Sequence, residues 1–302
     1  MSTHPDRTDQ PTRGHARAVA AALLVTVLWS SSWVLVRVGL DDADLPPVTF
    51  AGLRYSLAAL VLWGAVAARR VPVRSPRWSP IELAGLAVLG VVFYTLTQGA
   101  QFVAIAHQQA ATTSLVLSLT PLAVGLAGRA LLGEQPSAGQ LAGTVLVTVG
   151  ALAYFAGSLG ATRIGIAAAL TALLANTAGG LLGRHVNRAG RRPVLLVTAI
   201  SMSIGAVLLD VIGLLTEDVP RLSAPALLIV AWLAVVNTAV AFTLWNHALR
   251  RLTAIEAAGI NNVMLIQIAA LAWVFLDEPL DPAGIVGVLL VSAGVYLTQR
   301  RS

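Results

Sequence analysis

Residues 132–150 read LGEQPSAGQLAGTVLVTVG, and residues 276–294 read LDEPLDPAGIVGVLLVSAG. In each stretch an acidic turn, at Glu134 or Glu278, is followed by glycines nine and sixteen residues on. These are Gly143 and Gly150 in the first stretch and Gly287 and Gly294 in the second. One ungapped shift of 144 residues also pairs Leu132 with Leu276, Leu146 with Leu290 and Val147 with Val291. Upstream it pairs Ala104 with Ala248 and Ala110 with Ala254. A shift of nearly half of a 302-residue chain reads as a duplicated half.

Around these stretches, long apolar runs alternate with short polar breaks. A membrane-crossing helix needs about 20 apolar residues. Ten runs qualify, over residues 17–39, 47–68, 80–104, 109–132, 138–157, 164–185, 193–215, 223–249, 253–276 and 282–299. The expected fold is all-α: ten transmembrane helices arranged as two five-helix repeats. Five is odd, so the second copy enters the membrane upside down. Inverted repeats of this kind characterise secondary transporters, which bind solute where the repeats meet near mid-bilayer. The expected organisation is a disordered cytoplasmic tail over 1–16, a first repeat over 17–157 and a second over 164–299. The first run is longer than the apolar part of a signal peptide and reads as a retained helix.

The composition agrees. Charged residues make up 11% of the chain and apolar ones 57%, against about 25% and 45–50% for soluble domains. There is no cysteine, so neither disulfides nor thiolate metal sites form. The net charge of +6 does not indicate nucleic acid, because the arginines lie in loops between apolar runs. With the N-terminus inside, 16 of the 20 arginines fall on the inner side, and only Arg163 and Arg221 outside. Arg37 and Arg54 lie within spans, and the acids of loops 41–44, 217–218 and 277–281 fall outside. This asymmetry predicts both termini in the cytoplasm and a multi-pass protein of the plasma membrane.

The motifs resemble a known family. Leu28-Trp29-Ser30-Ser31-Ser32-Trp33 through Arg37, and Phe50-Ala51-Gly52-Leu53-Arg54-Tyr55 with Ala58-Ala59, are similar to the first two helices of EamA-type transporters. These belong to the drug/metabolite transporter superfamily. Ser118-Leu119-Thr120-Pro121 with Leu132-Gly133-Glu134 resembles the end of that family's first repeat. Glu256-Ala257-Ala258 with Asp277-Glu278-Pro279-Leu280 resembles the second copy. Ser30 stands where the family has Gly, and Leu265 where it has Pro, so a proline break is expected in only one copy. The resemblance covers residues 17–299 and implies a transporter of small solutes without naming the solute.

Candidate site residues are the polar and aromatic groups at depth. Trp29 and Trp33 share a face of the first helix at i, i+4, as do Tyr94 and Gln98 on the third. Asn176, Asn237, Trp245 and Asn262 supply the second half, because amides in hydrocarbon must bond something. Arg54 is the candidate gate or anion clamp, against the alternative that it and Arg37 snorkel or pair with Asp41, Asp42 or Asp44. Glycine stripes at Gly139/Gly143, Ala283/Gly287 and Ala175/Gly179/Gly183 read as helix-packing scaffold. Glu134, Glu256 and Glu278 read as helix caps, and Asp210 is the deepest unexplained acid. No carboxylate lies at mid-span, so a central proton relay is not expected.

The expected function is secondary-active or facilitated transport of small metabolites, amino acids or drug-like solutes by alternating access. The alternatives are an integral-membrane lipid-modifying enzyme and a passive channel. No cofactor, metal, ATP-binding motif or nucleic-acid partner is expected, and the chain acts as a monomer or homodimer in the lipid bilayer.

Overall fold

The computed structural model describes residues 9–41, 43–73, 77–108, 110–133, 137–155, 161–188, 190–264, 267, 271 and 282–299. Among them there is no strand. Six helices are long and apolar enough to cross a bilayer unbroken. They are α1 (Asp9–Asp41, apolar from Gly14), α2 (Pro47–Ala68), α3 (Pro80–His107), α6 (Arg163–Arg188), α7 (Val194–Thr216) and α8 (Ala224–Ala248). The other four expected spans hold α4, in two pieces (Ala110–Leu117 and Thr120–Leu132), α5 (Ala138–Phe155), α9 (Ala254–Asn261) and α10 (Pro282–Gln299). Helix α1 begins at Asp9, reaching into the segment expected to be a tail.

The duplication is visible in backbone detail. Ser79 and Ser223, 144 residues apart, cap α3 and α8 by accepting from the amides of Glu82 and Ala226. Both helices then widen into a π-turn, at Gly90–Leu96 in α3 and Val235–Val240 in α8. In each, a threonine hydroxyl bonds the carbonyl five residues back, Thr97 to Val92 (2.9 Å) and Thr238 to Leu233 (2.8 Å). A π-turn adds a residue to the turn and rotates everything beyond it.

Helices α5 and α10 pack along the glycines of the two quoted stretches. A Cβ on Gly294 would lie 2.6 Å from the Gly143 carbonyl and the Val147 amide nitrogen. A Cβ on Gly150 would lie 2.7 Å from the Val291 nitrogen and 2.8 Å from the Gly287 carbonyl. Each copy thus presses the same glycines against the other's backbone, which lipid-embedded helices need for close approach. Gly139 stands apart from this seam, its nearest neighbour being a serine hydroxyl 3.7 Å from a built Cβ. The caps expected at Glu134 and Glu278 lie outside the described residues. Glu256 does cap α9, in a reciprocal box with Thr253.

Candidate solute cavity

Helix α4 breaks at Ser118–Leu119, just before Pro121. Proline has no N–H to give the Leu117 carbonyl four residues back. The Thr120 hydroxyl takes that carbonyl instead, at 2.6 Å, and itself accepts from Asn176 Nδ2 at 3.3 Å. Helix α9 breaks at Asn262, the residue 144 positions beyond Ser118. The break occurs without a proline, contrary to the single break expected from Leu265. There the amide nitrogen of Asn262 is shared between the Ala258 and Gly259 carbonyls, at 3.3 and 3.2 Å. Its side chain reaches across to the Ser118 carbonyl, donating through Nδ2 at 2.9 Å. The two interrupted helices therefore meet at equivalent points of the two repeats. Beyond the break, Gln267 ties to α1, accepting from the Ser30 hydroxyl at 3.1 Å and donating to Thr26 Oγ1 at 3.0 Å.

Beside this junction lies a cavity of about 120 Å³. One water needs about 10–15 Å³, so the cavity has room for several waters or a small solute. Trp29 and Trp33 line it from α1, as their shared face predicts. Gln98 enters from α3, Asn176 from α6, Trp245 from α8 and Asn262 from α9. Trp29 packs on Trp245 with ring centroids 5.1 Å apart, and its indole N–H donates to the Asn237 carbonyl at 3.1 Å.

Two expected residues lie outside the wall. Tyr94 is fully buried among Tyr55, Phe93 and Phe242, facing Asn246 at 3.5 Å. It does not share a face with Gln98, because Tyr94 sits inside the π-turn, which shifts the register that i, i+4 spacing assumes. Asn237 is also fully buried. Its Nδ2 donates to the Leu28 carbonyl and to Ser31 Oγ, the latter at 3.1 Å. It ties α8 to α1 one layer behind the cavity.

Among the lining residues outside the expected set are Tyr55, Gln101 and Asn261. Tyr55 follows Arg54 on α2, Gln101 lies one turn past Gln98, and Asn261 precedes Asn262. The i, i+3 spacing of the two glutamines was the available signal. The Tyr55 hydroxyl, Trp245 Nε1 and Asn261 Oδ1 are buried and have no hydrogen-bond partner among the described residues. Gln98 and Gln101 make no hydrogen bond there either. The two glutamine amides, on the wall and not fully buried, mark a place for a ligand.

The two in-span arginines differ. Arg37 is half exposed and pairs with Asp41, one turn along α1. Arg54 is 3% exposed and lines the cavity. Its Nε donates to Thr238 Oγ1 at 2.7 Å and its Nη2 to the Asn237 carbonyl at 3.3 Å. Its guanidinium lies 5.4 Å from the Tyr55 ring centre and 6.0 Å from that of Phe102. Asp210 is engaged by the Ser56 hydroxyl.

A profile of the EamA-like transporter family matches residues 16–156 and again 163–300. The chain belongs to that family. Among its curated relatives is a probable amino-acid metabolite efflux pump of Escherichia coli K12, 25% identical over 91% of this chain and 92% of the relative. A probable terminal-alkyne amino-acid exporter of Streptantibioticus cattleyicolor is 28% identical over 95% of both chains. An S-adenosylmethionine/S-adenosylhomocysteine transporter of Chlamydia trachomatis is 26% identical over 93% of this chain and 88% of the relative. One crystal structure superposes with a TM-score of 0.74 at 20% identity, over 93% of this chain and 97% of the other, which supports the fold. A small-molecule transporter of the multi-pass membrane type follows from the family, its relatives and the apolar helices.

Proposed function

We propose that this EamA-family protein is a secondary carrier in the plasma membrane, with both termini cytoplasmic. It moves small amino-acid-like solutes by alternating access between its two five-helix repeats, over residues 17–157 and 164–299. The observation that carries this reading is the junction of the two broken helices, Asn262 Nδ2 on the Ser118 carbonyl, beside a cavity lined by the amides of Gln98 and Gln101, unpartnered among the described residues. Irregular backbone at membrane depth is tolerated where it lines a cavity. Such breaks supply the solute site of carriers built from inverted repeats.

The solute contacts Trp29, Trp33, Gln98, Asn176, Trp245 and Asn262, with Arg54 as its charged anchor. Tyr94 and Asn237 hold the wall in place. The solutes named for the relatives share a chemistry: amino-acid metabolites, an alkynyl amino acid and S-adenosylmethionine all carry amino-acid groups. Two of the relatives, an efflux pump and an exporter, also favour export.

The test is counterflow in proteoliposomes of the purified protein loaded with unlabelled leucine. A carrier accumulates external labelled leucine transiently above equilibrium, whereas a pore does not. Equilibration without overshoot, at any internal load, refutes the carrier.

A further inference from the structure

We propose that Arg54 makes the central cavity an anion site, neutralised by the carboxylate of the solute itself. This rests on the carrier reading for its biological meaning, but not for its chemistry. Arg54 is almost fully buried, and among the described residues no carboxylate pairs with it. Its two hydrogen bonds leave Nη1 without a partner among those residues. The facing rings of Tyr55 and Phe102 favour the cation but do not cancel its charge. A guanidinium held at membrane depth calls for an anion, and carboxylates match its planar fork.

The rest of the wall sets the class. No described lining residue is an acid, so nothing there neutralises an ammonium group. An ammonium is met instead by the amide oxygens of Gln98 and Gln101 and by the indole faces of Trp29, Trp33 and Trp245. The site therefore takes zwitterionic amino acids and their des-amino monocarboxylates, and rejects amines that lack a carboxylate.

Three of the seven tryptophans line the cavity, which gives an intrinsic probe. Iodide should quench the wild type about threefold more steeply than Arg54→Gln, while neutral acrylamide quenches both alike. Arg54→Lys should restore most of the iodide effect. On the wild type alone, leucine and 4-methylpentanoate should protect against iodide, and 3-methylbutylamine should not. Equal iodide quenching of wild type and Arg54→Gln overturns the proposal. So does protection by the amine to the level of leucine, or protection by neither carboxylate. If the carboxylates protect in an Arg54-dependent manner but leucine shows no counterflow, the anion site stands and the carrier reading falls. If leucine counterflow survives Arg54→Gln with unchanged affinity, the carrier stands and the anion site falls.

Discussion

Asn237 and Trp245 sit eight residues apart on α8, one behind the cavity and one on its wall. Asn237 spends its Nδ2 on α1, at Leu28 and Ser31, leaves its Oδ1 without a partner among the described residues, and does not line the cavity. Asn237→Leu should cost about 1–2 kcal/mol of stability, the scale of interhelical hydrogen bonds in membranes, with solute affinity unchanged. A drop in affinity at constant melting temperature would place Asn237 in the site. Trp245 lines the cavity, and its indole N–H is buried without a partner among the described residues. Trp245→Phe removes that unsatisfied donor and some packing volume, effects of opposite sign, so stability should move by less than about 1 kcal/mol. If solute accepts from the indole, affinity falls about fivefold, the equivalent of losing roughly 1 kcal/mol. Melting curves and substrate titrations on the same purified samples separate the two behaviours.

The seam between α5 and α10 makes the corresponding case for elements. At Gly150 and Gly294 an added methyl meets backbone atoms, which cannot rotate away as a flexible side chain would. Gly150→Ala and Gly294→Ala should each cost about 1–3 kcal/mol although alanine is the better helix former. Gly85, on α3, has nothing within 4 Å of a built Cβ, and Gly85→Ala should gain up to about 1 kcal/mol. Thermal unfolding in detergent measures all three, and an unaltered Gly294→Ala would remove the seam as the reason for the glycines. These elements were legible in the sequence because span length and the repeated glycine spacing are one-dimensional signals. Depth was legible too, which is why Trp29, Trp33, Gln98, Asn176 and Asn262 all line the cavity. Helix face was not. Spans that are apolar all round carry no amphipathic stripe to orient them. The π-turns then rotate Tyr94 away from Gln98 and Asn237 away from the wall. The α9 break at Asn262 was hidden because no proline marks it: a side-chain bond to the other repeat accompanies it.

For the whole molecule, the arginine asymmetry and the buried Arg54 each predict a measurable behaviour. The N-in orientation puts the loop after α2 inside and the loop after α7 outside. Val73→Cys should therefore resist an impermeant thiol reagent in intact cells, and Val219→Cys should react, against a cysteine-free background. Labelling of Val73→Cys would overturn the orientation. The second behaviour follows from charge. An alternating-access carrier must return after releasing its solute. With solute bound, a carboxylate accompanies Arg54 through the occluded state. Without it, a lone guanidinium makes the same passage, and an uncompensated buried ion costs several kcal/mol. The empty return is then the slow step, and exchange outruns net efflux. In chloride-free liposomes, leucine/leucine exchange should exceed net leucine efflux by at least about tenfold, a barrier difference of roughly 1.4 kcal/mol. Chloride, by entering the cavity as a substitute anion, should raise net efflux and leave exchange unaltered. Arg54→Gln should bring the two rates together, because its empty cavity no longer holds a cation. Equal exchange and net rates in the wild type without chloride would show that the empty carrier turns over freely and that the Arg54 charge does not govern the cycle.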